Sequence, residues 1–283
     1  MLTLWRCGKD RVTVPDSGVD ATAVIHSAAV IADGARIGPG CRIDAYAIVG
    51  GDVTLGPDVH LKSHSIVTGL TNLGAGTEVF PFACIGEIPQ DLKYQGELSQ
   101  LIVGERNRIR EGVTMNTGTA HGGGVTRVGD DCLFMTGAHV GHDASIGNNV
   151  ILANDAAIGG HCRIDDHVII GGLAGIHQHV RVGKGAIIGA LTMVRRDVIP
   201  YGFVQGAAGR LEGINIVGLR RRGIDHDRIA ELKKAYDHMV TSDSPLSESI
   251  DNLGTQALAG NSLVRDVIDF AQAGSGRNLL IPQ

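Results

Sequence analysis

The sequence has few aromatic side chains and no long apolar run. Only 4% of its 283 residues are Phe, Trp or Tyr, whereas 41 residues are glycine. An ordinary globular core relies on larger side chains, so we expect a narrow, regular interior filled by small and β-branched residues. No apolar stretch approaches the roughly 18 residues of a membrane span, and no signal-peptide pattern opens the chain. We therefore expect a cytoplasmic protein without stable membrane insertion.

Paired cysteines and an excess of positive charge are also absent. The five cysteines form no CxxC pair, which is typical of reduced thiols in a cytosolic protein. The formal net charge is -5, so nothing favours nucleic acid as a partner. Cys41, Cys132 and Cys162 share one place in the repeat described next, where a small buried residue is wanted. These three are predicted to be core residues.

A six-residue repeat runs through most of the first two hundred residues. Its lead position is apolar and is often followed by Gly or Asp, which suit a bend. The lead residues are Ile25, Ile31, Ile37, Ile43, Val49, Leu55, Leu61, Val67, Leu73, Val79 and Ile85, then Val103, Ile109 and Met115, then Val128, Phe134, Val140, Ile146, Leu152, Ile158, Ile164, Ile170, Ile176, Val182, Ile188 and Val194. Three hexads make one triangular coil, so residues eighteen apart stack and successive coils pair as parallel strands. The pattern predicts a mainly β protein, a left-handed parallel β-helix over residues 19–200.

Two segments interrupt this repeat, over residues 86–102 and 116–127. Loops ejected from a solenoid lie on its surface and often carry function. Both segments are therefore predicted to be ejected loops that contribute to a site.

The period changes after the repeat ends. Apolar spacing predicts a helix that follows Asp225 as N-cap, a second that opens at Ser244-Pro245, and a third that ends before Gly274. We expect an α-helical C-terminal domain over residues 201–283. Residues 1–18 match no hexad and are predicted to be an N-terminal extension.

Several histidines come together if residues eighteen apart stack. Two neighbouring files result, which are His142, Gly160 and Gln178, and Asp143, His161 and His179. A neutral His142 could take a hydroxyl proton, and Asp143 could orient its ring. Gly160 leaves room for a carbonyl to approach the backbone N–H, as an oxyanion hole requires. This combination predicts acyl transfer, and since no Ser or Cys nucleophile has a matching context, transfer without an acyl-enzyme.

A β-helix with these residues could also belong to two other classes of function. Histidines of three β-helices could hold zinc, as in the hexapeptide carbonic anhydrases, but neither His142/His161 nor His139/His142 has the five-residue ligand spacing of those enzymes. A purely structural β-helix would have a uniform outer face of Thr, Ser or Asn and no clustered base. The sequence therefore favours an enzyme without a metal or other cofactor.

With these features in place, the chain resembles the UDP-N-acetylglucosamine acyltransferase family of lipid A synthesis, from about Val19 to the C-terminal helices. The motifs that carry the resemblance are Ile85-Gly86-Glu87, Gln90-Asp91-Leu92-Lys93-Tyr94, Gly104-Glu105-Arg106-Asn107, His139-Val140-Gly141-His142-Asp143, Ile151-Leu152-Ala153-Asn154, Ile176-His177-Gln178, Gly213-Ile214-Asn215 and Arg221-Arg222-Gly223. The resemblance implies a homotrimer with sites between neighbouring β-helices. It also implies that an R-3-hydroxyacyl chain moves from the phosphopantetheine thioester of acyl carrier protein to the 3-position of UDP-N-acetylglucosamine.

The resemblance also assigns roles to individual residues. It makes His142 the general base, Asp143 its support and Gly160 the oxyanion donor. Substrate-binding positions carried over in the same way are Asp91, Lys93, His139, His161, His177, Gln178, Asn215, Arg221 and Arg222, with Ala190 as the acyl-chain ruler. The guanidinium groups suit the uridine diphosphate because their donors form a fork that fits phosphate.

Two positions depart from the family pattern. Val217 stands in place of a Glu near the nucleoside, and Asn116 in place of a His near the sugar. A valine cannot accept a ribose hydrogen bond, so Val217 puts the nucleoside contacts in question. The change at Asn116 leaves open the 3-amino analogue as acceptor, which would give an amide, although the ester is favoured. Ala190 carries a methyl group that predicts slightly shorter acyl chains than a glycine ruler admits. A related N-acyltransferase with a globular N-terminal domain, and small acetyltransferases that use coenzyme A, fit less well.

Overall fold

The computed structural model describes residues 18–241, 246–254, 260–274 and 278–280. Within the described residues three sheets wind around one interior, and consecutive strands from Val24–Ile25 to Met193–Val194 belong to successive sheets, within which they pair in parallel. The predicted N-terminal extension, apart from Gly18, and the predicted helix start at Ser244-Pro245 lie outside the described residues.

Each coil contributes one short strand to each sheet. Sheet 1 contains Val24–Ile25, Arg42–Ile43, His60–Leu61, Glu78–Val79, Arg108–Ile109, Leu133–Phe134, Ile151–Leu152, Ile169–Ile170, Ile187–Ile188, Gly202–Gln205 and Arg210–Ile214. Sheet 2 contains Val30–Ile31, Ile48–Val49, Ile66–Val67, Cys84–Glu87, Thr114–Asn116, His139–Val140, Ala157–Ile158, Gly175–Ile176 and Met193–Val194. Sheet 3 contains Arg36–Ile37, Thr54–Leu55, Leu70–Leu73, Gln100–Val103, Val125–Val128, Ser145–Ile146, Arg163–Ile164 and Arg181–Val182.

The register of these strands confirms the stacking of residues eighteen apart. Ile151 pairs with Ile169, and Ile169 pairs with Ile187. The lead residues are almost all buried, whereas the residue before each of them is exposed or partly exposed. Cys41, Cys132 and Cys162 are buried, as predicted. The small interior therefore explains both the aliphatic repeat and the low aromatic content.

Both ejected loops contain fewer residues than the interruption of the repeat predicts. Strand Cys84–Glu87 extends into the first segment and strand Gln100–Val103 closes it, which leaves residues 88–99 outside the sheets. Strands Thr114–Asn116 and Val125–Val128 likewise reduce the second segment to residues 117–124. The edges are ordered because Gln100–Val103 pairs along its whole length with strands on both sides. We call residues 88–99 the first loop and residues 117–124 the second loop.

The coil continues slightly beyond Pro200. Strand Gly202–Gln205 pairs in parallel with sheet 1, and Arg210–Ile214 then pairs with it antiparallel. Four α-helices follow in the described ranges, which are α1 (Ile216–Arg221), α2 (His226–Thr241), α3 (Leu246–Gly254) and α4 (Ser262–Gln272). Asp225 accepts a hydrogen bond from the Asp227 N–H, as an N-cap does. Among the helices in the described ranges, none is long and apolar enough to cross a membrane.

Two contacts join α4 to the last coils. The hydroxyl of Tyr201 donates to Asp266 of α4, and the Arg181 guanidinium lies over the ring of Phe270, 4.3 Å from its centroid. Within the coils, the buried Asp197 accepts hydrogen bonds from Arg181, from its backbone N–H at 2.9 Å and its Nε at 2.7 Å. Arg181 is therefore fixed by Asp197 on one side and packs against α4 on the other.

Candidate active site

One corner of the coil collects most of the predicted site. The chain turns from sheet 2 to sheet 3 between Val140 and Ser145, and His142 and Asp143 occupy this turn. The first and second loops leave sheet 2 and return to sheet 3, so they arise at this same corner in earlier coils. Gly160, His161, His177, Gln178 and His179 occupy it in later coils. We call it the catalytic corner.

His142 and Asp143 form a hydrogen-bonded pair. Nδ1 of His142 lies 2.8 Å from Oδ2 of Asp143, whose side chain is fully buried. Asp143 has a φ of 58°, in the left-handed region that Asp tolerates better than most residues. An ionised carboxylate only accepts hydrogen bonds, so in a neutral His142 ring this contact assigns the proton to Nδ1 and leaves the lone pair on Nε2.

Two threonines, one in the second loop and one in the strand that follows this loop, hold Asp143 in place. Thr119 donates to the Asp143 carboxylate through its backbone N–H, at 2.9 Å and 3.1 Å, and through its hydroxyl, at 2.7 Å. The Asp143 N–H donates to the hydroxyl of Thr126 at 2.7 Å. These bonds satisfy the buried carboxylate and fix its orientation toward His142.

The ring of His142 lies directly over Gly160. A Cβ placed on Gly160 would be 2.6 Å from both Cε1 and Nε2 of that ring, so the site requires a glycine. Among the hydrogen bonds of the described residues, none is donated by the Gly160 N–H, whereas the N–H groups of Gly159 and His161 on either side donate to backbone carbonyls. The arrangement leaves a backbone donor without a described partner next to the imidazole of His142.

Further imidazoles extend this cluster. The rings of His142 and His161 meet edge-on at 4.9 Å, and those of His161 and His179 stack at 4.4 Å. Burial lowers the pKa of His161; the charges of Asp143 and Asp91 oppose this shift, and the neighbouring His179 and His142 add to it. Burial also lowers the pKa of His139, whose Nδ1 is 2.8 Å from the hydroxyl of Thr114. Both rings are therefore predominantly neutral near pH 7.

The first loop carries the predicted sugar contacts. Asp91 accepts a hydrogen bond from the Lys93 N–H at 2.9 Å, and the Lys93 side chain is exposed. The charge of Asp91 acts on His161, which indicates that this loop reaches toward the histidine cluster. Asn116 is buried below the loop and donates to the Ile88 carbonyl at 2.8 Å, but its Oδ1 accepts no hydrogen bond from any described residue.

Four predicted residues lie away from the catalytic corner. Asn215 is the N-cap of α1, where it accepts from the Gly218 N–H and donates to the Gly185 carbonyl, so both ends of its amide have partners within the chain. Arg222 also lies against Gly185, at the turn from sheet 3 to sheet 1. Arg221 and Ala190 are exposed, and Ala190 occupies the third corner, between sheets 1 and 2. One chain alone therefore does not unite all the predicted contacts.

Sequence reasoning overlooked the threonines. Thr119 lies twenty-four residues before Asp143 because the second loop lengthens that coil, whereas Thr126 follows the loop and lies seventeen residues before Asp143, one residue off the register. The eighteen-residue rule cannot find partners across an ejected loop. The only available signal was that Thr119 lies within a segment already predicted to be functional.

One group within the described ranges could share a metal ion. Donor atoms of His142, Asp143 and His161 all lie within 4.8 Å of one another. The Oδ2 atom of Asp143, however, is already engaged at 2.8 Å by His142 and at 2.7 Å by the Thr119 hydroxyl. The observed contacts are those of a hydrogen-bonded dyad.

Comparisons with known proteins agree with this architecture. The family model described as "Bacterial transferase hexapeptide (six repeats)" matches residues 34–69 and 126–160, and "Udp N-acetylglucosamine O-acyltransferase; Domain 2" matches residues 197–280. The acyl-[acyl-carrier-protein]–UDP-N-acetylglucosamine O-acyltransferase of Azorhizobium caulinodans is 50% identical over 260 residues, which cover 92% of this chain and 96% of the relative. The Rickettsia canadensis protein of the same name is 51% identical over 253 residues, which cover 89% and 96%.

A solved structure agrees with these sequence relatives. The UDP-N-acetylglucosamine acyltransferase from Campylobacter jejuni superposes with a TM-score of 0.85 at 35% identity, over 92% of this chain and 100% of that one. Similarity therefore extends through the coils, both loops and the helices. The chain belongs to the family of acyl-[acyl-carrier-protein]–UDP-N-acetylglucosamine O-acyltransferases.

Proposed function

We propose that the protein transfers an R-3-hydroxyacyl chain from acyl carrier protein to the 3-hydroxyl of UDP-N-acetylglucosamine, the first step of lipid A synthesis. The family relationship supports the substrates. The observation that carries the chemistry is the position of the His142 ring, which is paired with Asp143 and lies over Gly160, a residue whose N–H donates to no described residue. A base next to an oxyanion donor is the arrangement that acyl transfer to a hydroxyl needs.

The reaction proceeds in one addition and one elimination. Nε2 of His142 takes the proton of the 3-hydroxyl while that oxygen attacks the thioester carbonyl. The Gly160 N–H donates to the oxyanion that forms, and Asp143 stabilises the imidazolium through Nδ1. The intermediate then collapses, the carbon–sulfur bond breaks, and the imidazolium returns its proton to the leaving phosphopantetheine sulfur. The proton taken from the sugar hydroxyl is the one given to the leaving sulfur, so the proposed steps need no metal, cofactor or acyl-enzyme.

The site is completed between copies of the chain in a homotrimer. Asn215, Arg221, Arg222 and Ala190 lie away from the catalytic corner of their own chain, so they reach a substrate there only from a neighbour. The outward residues that begin the strands of sheet 2, next to this corner, include no Asp, Glu, Lys or Arg; they are Val30, Ile48, Ile66, Cys84, Thr114, His139, Ala157, Gly175 and Met193. Such a charge-free face suits burial against another subunit.

The substrates would span this interface. Asp91 and Lys93 bind sugar and phosphate from the first loop, and His139, His161, His177 and Gln178 line the pocket. Arg221 and Arg222 neutralise the diphosphate. The side-chain oxygen and the side-chain NH2 group of Asn215 both bond within its own chain. Its contribution is therefore to fix the start of α1, and the two arginines lie at the end of this helix.

Several finer features follow from membership in this family. The coils are left-handed, the helices after residue 214 form a C-terminal domain, and the protein acts in the cytoplasm, where acyl carrier protein and the nucleotide sugar are available. Ala190 limits the acyl chain by the methyl group that a glycine would lack. These features are supported by the repeat and by the long coverage of the relatives.

A second acceptor is favoured by one observation. Asn116 has a buried Oδ1 that accepts no hydrogen bond from a described residue. An unpaired acceptor beneath the sugar loop suits a donor on the acceptor substrate, and a 3-amino group offers more N–H donors than a hydroxyl offers O–H donors. The amide product is therefore retained as the alternative.

The product mass separates these possibilities. The protein is incubated with R-3-hydroxyacyl carrier proteins of graded chain length and with UDP-N-acetylglucosamine or its 3-amino analogue in competition. We expect a product heavier than UDP-N-acetylglucosamine by one acyl group, which mild alkali cleaves as an ester. A product only from the amino analogue, stable to alkali, would replace the ester by the amide. No acylated nucleotide from either acceptor would refute the proposed function.

A further inference from the structure

The buried Asp143 carboxylate depends on Thr119 more than on any other group outside the dyad. Thr119 supplies both its N–H and its hydroxyl to this carboxylate, at distances from 2.7 to 3.1 Å. The hydroxyl and the ring of His142 both contact Oδ2, so they fix the same oxygen from two sides. A donor that immobilises Oδ2 also determines where the ring of His142 points.

Thr119 is in turn held rigidly. It is almost fully buried at 1% exposure, and it caps the short 3-10 helix Ala120–Gly122. Its carbonyl accepts the N–H groups of Gly122 and Gly124 at 3.0 Å and 2.8 Å. Its side chain therefore has one orientation, which suits a role in placing another residue.

The second loop is also joined to the first. Oε1 of Glu97 accepts the Ala120 N–H at 3.1 Å, and Oε2 accepts the Gln95 N–H at 2.8 Å. These backbone donors lower the pKa of Glu97, so the carboxylate remains ionised near pH 7. A buried hydrogen bond at 2.8 Å between the hydroxyls of Ser99 and Thr117 reinforces the connection. The loop that carries Asp91 and Lys93 thus meets the loop that holds Asp143.

We propose that Thr119 is a positioning residue that fixes the His142–Asp143 dyad, and that Glu97 links it to the acceptor loop. Thr119 does not touch the reacting atoms; it holds Oδ2 so that Nδ1 of His142 keeps its proton and Nε2 faces Gly160. Glu97 fixes the neighbouring Ala120 relative to residues 91–95. This inference rests on the proposed acyl transfer and identifies what keeps its base aligned.

Thr119→Val removes the hydroxyl and keeps the shape, and Thr119→Ser keeps the hydroxyl. We expect the valine variant to lower kcat about 10- to 100-fold, the equivalent of one hydrogen bond to a charged group, with KM for the nucleotide sugar within about twofold. The serine variant should stay within about threefold of the wild-type protein. Thr71→Val, which removes the hydroxyl of another buried threonine, is the matched control and should keep the wild-type kcat.

The tautomer of His142 gives a readout that a merely structural role would not move. Nitrogen-15 spectra of the imidazole should report a protonated Nδ1 in the wild-type and Thr119→Ser proteins, and a mixture of tautomers in Thr119→Val. A valine variant with an intact assembly, wild-type kcat and unchanged tautomer would overturn the role of Thr119. If valine prevents folding, Thr119→Cys keeps the size with a weaker donor. Its kcat should fall below that of the serine variant, and equality would overturn the proposal.

Glu97 is tested by a double-mutant cycle. Glu97→Gln places an amide donor where a backbone N–H now donates, and we expect kcat to fall about three- to tenfold. In the Thr119→Val background the same change should cost less than about twofold, because the two residues act through one path. Fully additive effects would remove Glu97 from that path. If the wild-type protein showed no acyl transfer, the proposed function would be refuted. The tautomer spectra do not require turnover, so they would still test the role of Thr119.

Discussion

The proposed mechanism depends on the close contact between His142 and Gly160, and the substitution Gly160→Ala tests this contact directly. The added carbon would lie 2.6 Å from the ring, about 0.8 Å short of the 3.4 Å at which ordinary contact begins. The ring must therefore move by nearly an ångström from the position in which Nε2 meets the hydroxyl. A displacement of this size can cost about 10²-fold, and complete loss of a general base about 10²–10⁴-fold. We expect kcat to fall within that range.

The same clash should appear in stability. Overpacking costs about 1–3 kcal/mol, so Gly160→Ala should reduce the free energy of unfolding in urea by that amount. In a His142→Ala background the methyl group has space and should cost almost nothing, which gives a coupling of about 1–3 kcal/mol. Gly172→Ala is the matched control for stability, because its Cβ would meet only the Asn154 carbonyl oxygen, at 3.3 Å.

Two outcomes would refute this reasoning. One is a Gly160→Ala protein with wild-type kcat in the assay with hydroxyacyl carrier protein and UDP-N-acetylglucosamine. The other is equal destabilisation with and without the His142 ring, since the cost would then arise from the backbone and not from the imidazole.

Three further predictions concern pH, stability and chain length. Burial holds the pKa of His139 below its ordinary 6.5, so the unfolded state binds more protons and the free energy of unfolding should fall as the pH drops below 6.5; His139→Gln should weaken this dependence in urea titrations. Asp197→Ala leaves the nearly buried Arg181 without its partner and should cost about 3–5 kcal/mol in the same assay, and a loss under 1 kcal/mol would contradict this. Ala190→Gly should shift the best donor to longer acyl chains, and an unchanged chain-length profile would end the ruler assignment.

The coil architecture was predictable because the period is carried by every coil. Each lead aliphatic residue reports the same buried position, so the eighteen-residue register survives local exceptions such as Phe134. The same register, which the sequence alone carries, brings His142, Asp143 and Gly160 together. The loop edges were less accurate because Gln100 and Leu101 pair with neighbouring strands outside the hexad pattern.

Contacts that cross a loop or a corner were not predictable. The position of Thr119 depends on how the second loop folds back, and spacing does not encode that. Asn215 and Arg222 match the family motif in sequence, yet the chain carries them to a different corner from His142. The coil has three corners, and these residues lie at a different corner from His142 and Asp143. A sequence motif lists such residues together but does not say which corner each one occupies.

The rate of the His142→Ala protein tests the central claim most directly. Its assembly is first compared with that of the wild-type protein by sedimentation, and turnover is then measured with R-3-hydroxyacyl carrier protein and UDP-N-acetylglucosamine. We predict an unchanged assembly whose kcat is lower by about 10²–10⁴-fold, the loss expected for a general base. A variant with the wild-type assembly that turns over at nearly the wild-type rate would show that another group removes the proton, and the catalytic role of His142 would have to be abandoned.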